Sequence, residues 1–301
     1  MGFYSPHTII RDARRHGVEV LGPDVNGSSR DATLEPRPAR VGPIGRPKPG
    51  FFAEPSHHAV RLGLRSVRGL HDAFCDHVDD ERARSTFRDM EDFVRRTGAT
   101  VDALEALAAA GAFEQSFGQL RRSAMWAAGA LRDARPHVLR SGSVVETLPG
   151  LLTGLDAPPL PGMTEPEEVA SDLWSMGLSP GRHPTEFVRA ELIRQGVVTA
   201  ADLRVLPDRS VVEVAGVVTH RQQPATAKGT VFLNLEDETG LVNVICTRGI
   251  WKRFRLVARG APALRVRGVL ERHQGVTNLV AGRITRLPIS LSGSLQSRDF
   301  R

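Results

Sequence analysis

Apolar and polar residues alternate with a period of two over the last third of the chain. This alternation predicts five strands, because successive side chains of a strand point to opposite faces. Between the third and fourth, Ile250, Phe254 and Val257 recur at a helical spacing instead. Three strands, a helix and two more strands is the element order of an OB-fold, a small Greek-key barrel. The predicted strands are Val211–Thr219, Thr230–Leu235, Leu241–Cys246, Ala263–Leu270 and Val276–Ile284.

The preceding two thirds of the chain show helical spacing. Phe87, Met90, Phe93 and Val94 fall on one stripe within a region, residues 61–130, that we expect to be helical. Pro6 follows Ser5 as the first residue of a predicted N-terminal helix, whose apolar face we assign to Ile9, Ala13 and Val18. Thr164 and Glu167 have capping-box spacing at the start of another helix. The fold class is therefore α+β with several domains.

The stretch RLGLRSVRGL, residues 61–70, has the character of a helix-hairpin-helix turn. Leu64, Val67 and Leu70 supply apolar anchors and Gly69 supplies the tight turn. Backbone N–H groups at the start of the following helix then bind a phosphate in such motifs. Arg65 and Arg68 add positive charge, so we predict duplex contacts at Arg65, Arg68 and Gly69. A weaker second candidate, ALAAAGAF, surrounds Gly111.

Composition adds a charge asymmetry to this picture. The 301 residues carry a net charge of +6, but residues 201–301 hold 16 Lys and Arg against 8 Asp and Glu. A basic final third favours a polyanionic partner. We expect no membrane association, because no apolar run approaches the length of a span. The two cysteines, Cys75 and Cys246, predict no disulfide framework, which favours a reducing cytoplasm.

Three consecutive acids, Glu236, Asp237 and Glu238, raise the question of a metal-dependent active site. They precede Thr239-Gly240, which is turn chemistry, and alternating strand side chains cannot all face one cleft. We therefore expect a solvated hairpin turn and no catalytic residue. His71, Cys75 and His77 lie close in sequence but lack a fourth ligand nearby, so we predict no metal site.

OB-folds bind single strands across their second and third strands. On the second strand Phe232 is a candidate stacking platform, and we expect Trp251 of the short helix to belong to the core. Arg221 and Lys228 lie in the expected first loop, while basic residues crowd the short helix. The predicted nucleic-acid contacts outside the hairpin are Arg11, Arg14, Arg15, Arg221, Lys228, Phe232, Asn234, Asn243, Arg248, Arg265 and Arg267.

Several long stretches together resemble one family. MGFYSPHTIIRDARRHGVEVLGPDVN, VRLGLRSVRGL, LAAAGAF, DLWSMGLSPGRHP and VVTHRQQPATAKGTVFLNLEDETGLVNVI occur here in this order. The sequence thereby resembles the bacterial C-family DNA polymerases, the DNA polymerase III alpha subunits. It is most similar to their error-prone branch, because no clamp-binding peptide follows the barrel. The resemblance covers nearly the whole chain.

The resemblance implies the C-terminal portion of such a polymerase, acting in damage-tolerant DNA synthesis. It implies that the hairpins hold primer-template duplex and that the barrel approaches single-stranded template. The palm, with the aspartates that bind Mg²⁺, would lie outside this sequence, so this chain should hold no cofactor and should be inactive alone. Alternatives are a scaffold that recruits accessory translesion proteins, or one half of a split polymerase completed by a palm-containing chain.

We expect six segments on this basis. They are a fingers-like helical end (1–34), a Pro/Gly-rich linker (35–60), a tandem helix-hairpin-helix region (61–135), a connector with helices (136–205), the OB-fold (206–289) and a tail (290–301).

Overall fold

A computed structural model describes residues 6–36, 58–131, 137–138, 144–145, 157–227, 229–273, 275–289 and 298–300. The chain divides into two compact units, residues 1–180 and 181–301. The boundary lies inside the expected connector. Most of the expected linker (37–57), much of residues 132–156 and the greater part of the tail lie outside the described residues.

The first unit combines a small sheet with helices. Strands β1 (Glu19–Leu21), β2 (Thr33–Pro36) and β3 (His58–Arg61) form the sheet, with β3 central, parallel to β1 and antiparallel to β2. The helices are α1 (Pro6–Arg15), α2 (Asp72–Arg84), α3 (Met90–Thr97), α4 (Val101–Ala109), α5 (Glu114–Phe117), α6 (Arg121–Ala130) and α7 (Glu165–Met176). A short ladder pairs β4 (His137–Val138) with β5 (Val144–Val145).

One apolar core holds α2, α3, α4 and α6 together. Phe87, Met90, Phe93 and Val94 are all buried in it, which confirms the predicted stripe. Rings of Phe87, Phe93 and Phe113 meet edge to face, with centroids 5.0 and 5.7 Å apart. Residue Val25 joins the same core, so the N-terminal segment and the hairpin region pack as one body.

The predicted starts of α1 and α7 are confirmed, whereas the predicted apolar face of α1 is not. Helix α1 begins at Pro6, and the amide of Thr164 donates to the Glu167 carboxylate at 2.8 Å at the start of α7. The expected apolar face of α1 is wrong, because Ile9 is 58% exposed and Ile10 is buried. Residues 61–71 hold the end of β3 and a 3₁₀ turn rather than an α-helix.

The second unit is a closed five-stranded barrel, as predicted. Its strands are β6 (Val211–Gln222), β7 (Val231–Asp237), β8 (Gly240–Cys246), β9 (Ala263–His273) and β10 (Val276–Arg286). Each pairs with the next in the order β6, β7, β8, β10, β9, and β9 pairs back with β6. Only the contact between β8 and β10 is parallel within this ring. That is OB-fold topology, and β11 (Arg298–Phe300) adds to β6 in parallel.

Two helices accompany the barrel. Helix α8 (Arg189–Arg194) follows a 3₁₀ segment, Pro184–Val188, before the first barrel strand. Helix α9 (Arg248–Gly260) lies between β8 and β9, where the sequence predicts a short helix. Ile250, Trp251, Phe254 and Val257 of α9 pack against the barrel core, which confirms the placement of Trp251. Among the described residues, every helix is too short or too polar to span a bilayer.

Candidate nucleic-acid interface

Cross-strand pairing places four nitrogen-bearing side chains in one row on the outer face of the barrel. Asn234 of β7 pairs with His220 of β6 on one side and with Asn243 of β8 on the other. Asn278 of β10 continues the row beside Asn243. Neighbouring strands lie about 4.8 Å apart, so the row extends roughly 14 Å across four strands. Asn243 is exposed and the other three are half-buried.

A second row, one step along the strands, carries the aromatic ring. Phe232 pairs with Gln222 on β6 and with Ile245 on β8, and Val280 follows on β10. Residues two apart on a strand share a face, so Phe232 lies beside Asn234. Phe232 is half-buried, and Val231 and Leu233 on either side of it are buried in the core. Phe232 therefore lies on the outer side of β7, opposite the core-facing Val231 and Leu233.

The three acids at the end of β7 bound this surface, and the expectation of a solvated turn is wrong. Glu236 and Asp237 are buried, and Glu238 is largely covered. Oδ1 of Asp237 accepts from the amides of Thr239 and Gly240 at 2.8 and 3.0 Å, and its Oδ2 accepts from the Ala200 amide at 2.8 Å. The turn itself is where the sequence places it, but residues 185–200 cover it.

Arg189 pairs with two of the covered acids, Asp237 and Glu238. Its Nη2 donates to Glu238 at 2.9 Å and lies 3.3 Å from Asp237 Oδ2. Burial raises the pKa of Asp237. Burial also acts to raise the pKa of Glu238, but hydrogen bonds from Arg189 and Thr185 outweigh it and hold that pKa below its ordinary value. This cluster fastens α8 and the preceding segment to the barrel.

Arg221 does not lie in an exposed loop, as the sequence suggested. A register shift between Val218 and His220 turns Arg221 to the inner side of β6, opposite Leu233. Its Nε donates to the Ala258 carbonyl at 2.8 Å and its Nη2 to the Ala261 carbonyl at 2.6 Å. Arg221 thereby caps the end of α9 from inside and is withdrawn from the surface.

The remaining predicted barrel cations fall into two places. Arg265 and Arg267 lie on β9, which pairs with β6 and β10, on a different side of the closed barrel from Phe232. Arg265 pairs with Glu213 at 3.1 Å, whereas Arg267 is exposed. Arg248 begins α9 and its side chain packs beside Gly229, in the loop before Phe232. Lys228 lies outside the described residues.

In the first unit, the Gly69 turn has the geometry expected of a hairpin motif. Gly69 adopts φ +76°, a left-handed conformation that favours glycine, and it is exposed. Leu64, Val67 and Leu70 are buried beneath it. Helix α2 begins three residues later, after an N-cap residue whose side chain makes no capping hydrogen bond. The exposed turn and the helix N-terminus provide backbone N–H groups for an anion.

The two arginines of this hairpin are held differently. Arg65 is exposed and lies 3.3 Å from Asp72 and 3.6 Å from Asp31. Exposed ion pairs of this kind are weak, so Arg65 can exchange these carboxylates for another anion at little cost. Arg68 lies over the Trp174 ring of α7, 4.5 Å from its centroid. That stacking orients Arg68 beside the turn.

The second hairpin candidate is filled by side chains. Gly111 adopts φ +77°, and a Cβ there would lie 2.8 Å from Oε2 of Glu114 and 3.0 Å from Nε of Arg121. Arg121 donates to the Ala109 carbonyl at 3.0 Å and to the buried Asp172 at 2.6 Å. These contacts tie the turn to α7 and fill the space beside Gly111 with side chains.

The predicted DNA-binding arginines of α1 and the cysteine of the predicted non-site His71, Cys75 and His77 differ in their burial. Arg11 is buried, while Arg14 and Arg15 are half-buried, with Arg15 3.4 Å from Asp12.

Cys75 is fully buried, and burial raises the pKa of its thiol to about 11. The thiolate is the form that binds metal, so this environment disfavours a metal site at Cys75.

Sequence reasoning missed His220 and Asn278 of the polar row. Both belong to strands whose pairing with β7 and β8 depends on barrel closure. No local sequence motif predicts which residues of those strands pair with each other. The alternation that identified Asn234 and Asn243 would have found them once the OB-fold strand order was imposed.

Together, the two units define a protein that joins a helix-hairpin-helix region to an OB-fold barrel. The helix-hairpin-helix motif family matches residues 17–124. Error-prone DNA polymerase of Mycolicibacterium paratuberculosis is 45% identical over 302 residues, which cover all of this chain and 25% of that protein. The corresponding polymerases of Nocardia farcinica and Cutibacterium acnes are 43% and 40% identical, covering all of this chain and 24% and 28% of theirs.

The resemblance drawn from the sequence motifs is thereby confirmed. This chain is homologous to a portion of error-prone DNA polymerases and spans about a quarter of the length of the curated relatives it matches. Among solved structures, asparaginyl-tRNA synthetase from Pyrococcus horikoshii is 17% identical with a TM-score of 0.27, over 31% of this chain and 23% of that one. That similarity is too low to support an argument.

Proposed function

We propose that this chain is the DNA-gripping part of an error-prone DNA polymerase. It binds single-stranded template across the outer face of β6, β7, β8 and β10, and it binds duplex phosphates at the Gly69 turn. The homology to error-prone DNA polymerases supports this assignment. The helix-hairpin-helix match supports the duplex role.

The observation that carries the proposal is the polar row beside the Phe232 ring. Each Asn side chain offers two N–H donors and a carbonyl acceptor, so it can pair with the edge of any base. An aromatic ring stacks on any base as well, because every base has a π-face. A row of this chemistry therefore suits single strands of any sequence, which is what a polymerase template requires.

Charge adds the sequence-independent part of the affinity. Residues 201–301 carry 16 cationic against 8 anionic side chains, and Glu236, Asp237 and Glu238 among the latter are covered. Phosphate neutralisation releases counterions, so binding should weaken steeply as salt rises. Base contacts would contribute little discrimination.

The Gly69 turn is assigned to duplex because its donors belong to the backbone. N–H groups at a helix start bind a phosphate without reading a base, which positions a duplex independently of sequence. Arg68, oriented by Trp174, adds a charge beside that turn. Arg65 adds another after exchanging its exposed carboxylate partners.

We further propose that nucleotide transfer depends on carboxylates elsewhere in the polymerase. Two-metal catalysis needs carboxylates whose oxygens are available to Mg²⁺. The carboxylates at the end of β7 already have partners, because Asp237 accepts hydrogen bonds from backbone amides and Glu238 accepts one from Arg189. The chain would therefore bind primed DNA without extending it.

The direct test compares Phe232→Ala with Leu241→Ala in the full chain. Leu241 is 40% exposed on the neighbouring strand, but it pairs with Glu236 at the covered end of the face. Fluorescence anisotropy with a labelled oligothymidine should show weaker binding for Phe232→Ala by about 1–3 kcal/mol, the usual worth of one stacked base. Leu241→Ala should bind as the unaltered chain does. Equal affinity of both variants would remove the stacking role.

A further inference from the structure

Helix α9 carries a stripe of cations along one side. Arg248, Lys252, Arg255 and Arg259 are spaced by four, three and four residues, which places them within an arc of about 60°. All four are exposed. At 1.5 Å per residue the stripe is about 16 Å long.

The barrel fixes the direction in which this stripe points. Ile250, Trp251, Phe254 and Val257 occupy the opposite part of the helix surface and pack against the barrel core. Ala258 beneath them is fully buried. The helix cannot rotate about its axis without exposing these side chains, so the cations are held in place.

The charge of the stripe is not compensated within the part of the chain that the structure describes. Helix α9 contains no acidic residue. The ion pairs of the described barrel residues engage Arg189, Arg194, Arg209 and Arg265, but none of the stripe cations. Four aligned charges close together repel one another, and an anionic ligand relieves that repulsion.

The stripe begins next to the loop that leads into the aromatic strand. A Cβ on Gly229 would lie 3.3 Å from Cδ of Arg248, so the Arg248 stem packs directly on that glycine. Gly229 adopts φ +85° and stands three residues before Phe232. Ile245, which pairs with Phe232, is also only three residues before Arg248. The outer face and the stripe therefore meet at this loop.

We propose that the α9 stripe binds the sugar-phosphate backbone of the strand after it leaves the Phe232 platform. The site for single-stranded DNA then has two parts, a base-contacting face on the barrel and a phosphate track on α9. This inference rests on the proposed function and extends its site. It makes affinity depend on oligonucleotide length, because a short strand reaches only the first part.

The test uses the full chain and two triple variants of equal charge. One is Lys252→Ala/Arg255→Ala/Arg259→Ala, which removes the stripe and leaves Arg248 on its glycine. The control, Arg204→Ala/Arg253→Ala/Arg286→Ala, removes three exposed cations that lie off the stripe. Arg253 is on the same helix, about 130° around from the centre of the stripe. Circular dichroism confirms that both variants remain folded.

Anisotropy is measured with oligothymidines of about 6 and about 15 nucleotides, within the range of OB-fold site sizes. The stripe variant should bind the longer strand about tenfold or more weakly and lower its salt slope by about 2, since each lost phosphate contact contributes about 0.7. Its affinity for the shorter strand should stay that of the unaltered chain. The control variant should change neither affinity by more than about twofold, because it removes no phosphate contact.

Two results would overturn the track. One is equal affinity of both triple variants for the longer strand, and the other is an equal loss on both lengths. Binding of a polyglutamate peptide that depends on the stripe, with DNA affinity unchanged, would instead identify an acidic protein as the partner of α9. Failure of the unaltered chain to bind either strand would remove the proposed function as well, which separates the two failures.

Discussion

Arg189 binds Glu238 across the turn between β7 and β8, with its Nη2 2.9 Å from the carboxylate Oε2. This pair attaches the segment before the barrel to the barrel itself. It also explains why an acidic stretch at a hairpin is covered rather than solvated. The acids have a structural role, so the DNA contacts proposed for the second unit lie elsewhere, on the polar row, Phe232 and α9.

Replacing Arg189 should destabilise the chain. Arg189→Ala leaves Glu238 and the buried Asp237 without their cation, and we expect a loss of roughly 2–3 kcal/mol in the free energy of unfolding. Urea unfolding followed by circular dichroism measures it. Arg194→Ala is the control, because the pair of Arg194 with Glu191 is exposed and its loss should cost less than about 0.5 kcal/mol. Equal costs would contradict the attachment.

The two hairpin glycines should respond differently to alanine. Both have positive φ, but a Cβ at Gly69 meets nothing within 4 Å, while a Cβ at Gly111 meets Glu114 and Arg121 at 3.0 Å or less. Gly69→Ala should cost about 1 kcal/mol from backbone strain alone. Gly111→Ala should cost more than Gly69→Ala, since the ends of the Glu114 and Arg121 side chains must also shift. Thermal denaturation of both variants checks the order, and the reverse order would refute the filled second hairpin.

The same Gly69→Ala variant tests the duplex site. A methyl group at the turn obstructs a phosphate that approaches its backbone N–H groups, so affinity for blunt duplex DNA should fall by about fivefold or more. Gly98→Ala is matched to it, because Gly98 also has positive φ and open space around it but ends α3. Filter binding to duplex DNA compares the two. A similar loss in both variants would show that strain, not phosphate contact, is responsible.

Substitution of Arg221 should lower the stability of the chain, whereas substitution of Arg248 should lower its affinity for DNA. Arg221→Ala removes the donors to two carbonyls at the end of α9, and we expect a loss of about 2–3 kcal/mol in unfolding free energy. Arg248→Ala should leave stability within about 0.5 kcal/mol and weaken binding of long single strands. Urea unfolding measures the stability of each variant, and fluorescence anisotropy measures its affinity for a long single strand. Loss of DNA affinity with unchanged stability in Arg221→Ala would contradict its placement inside the barrel.

The carboxylate of Asp92 should stabilise the chain near neutral pH and lose this effect as the pH falls. Burial acts to raise its pKa, but hydrogen bonds from the Arg88 amide and from the Arg96 and Arg95 side chains hold the pKa below the ordinary value. A lowered folded pKa means stabilisation above about pH 4 that is lost as pH falls through the folded value. The stability gap between the unaltered chain and Asp92→Asn should therefore shrink between pH 7 and pH 3. Glu105→Gln, on an exposed position of α4, should show little gap at any pH.

Much of the fold follows from the sequence because its signals are local. Strand alternation and the intervening α9 pattern give the barrel, and the capping residues give the helix starts. The Gly69 turn follows from residue types that a left-handed turn requires. The covering of Asp237 and Glu238 does not follow, since it depends on a segment more than thirty residues away in sequence. Arg221 was misplaced for a related reason, because a register shift in β6 turns it inward.

The measurement that tests the account most directly is anisotropy of the full chain with labelled single-stranded and primed DNA over a salt series. The account predicts micromolar or tighter binding to both at low salt, little dependence on sequence, and a steep loss of affinity as salt rises. Absence of binding to either DNA at low salt, from protein shown to be folded, would contradict it and favour a scaffold for accessory proteins.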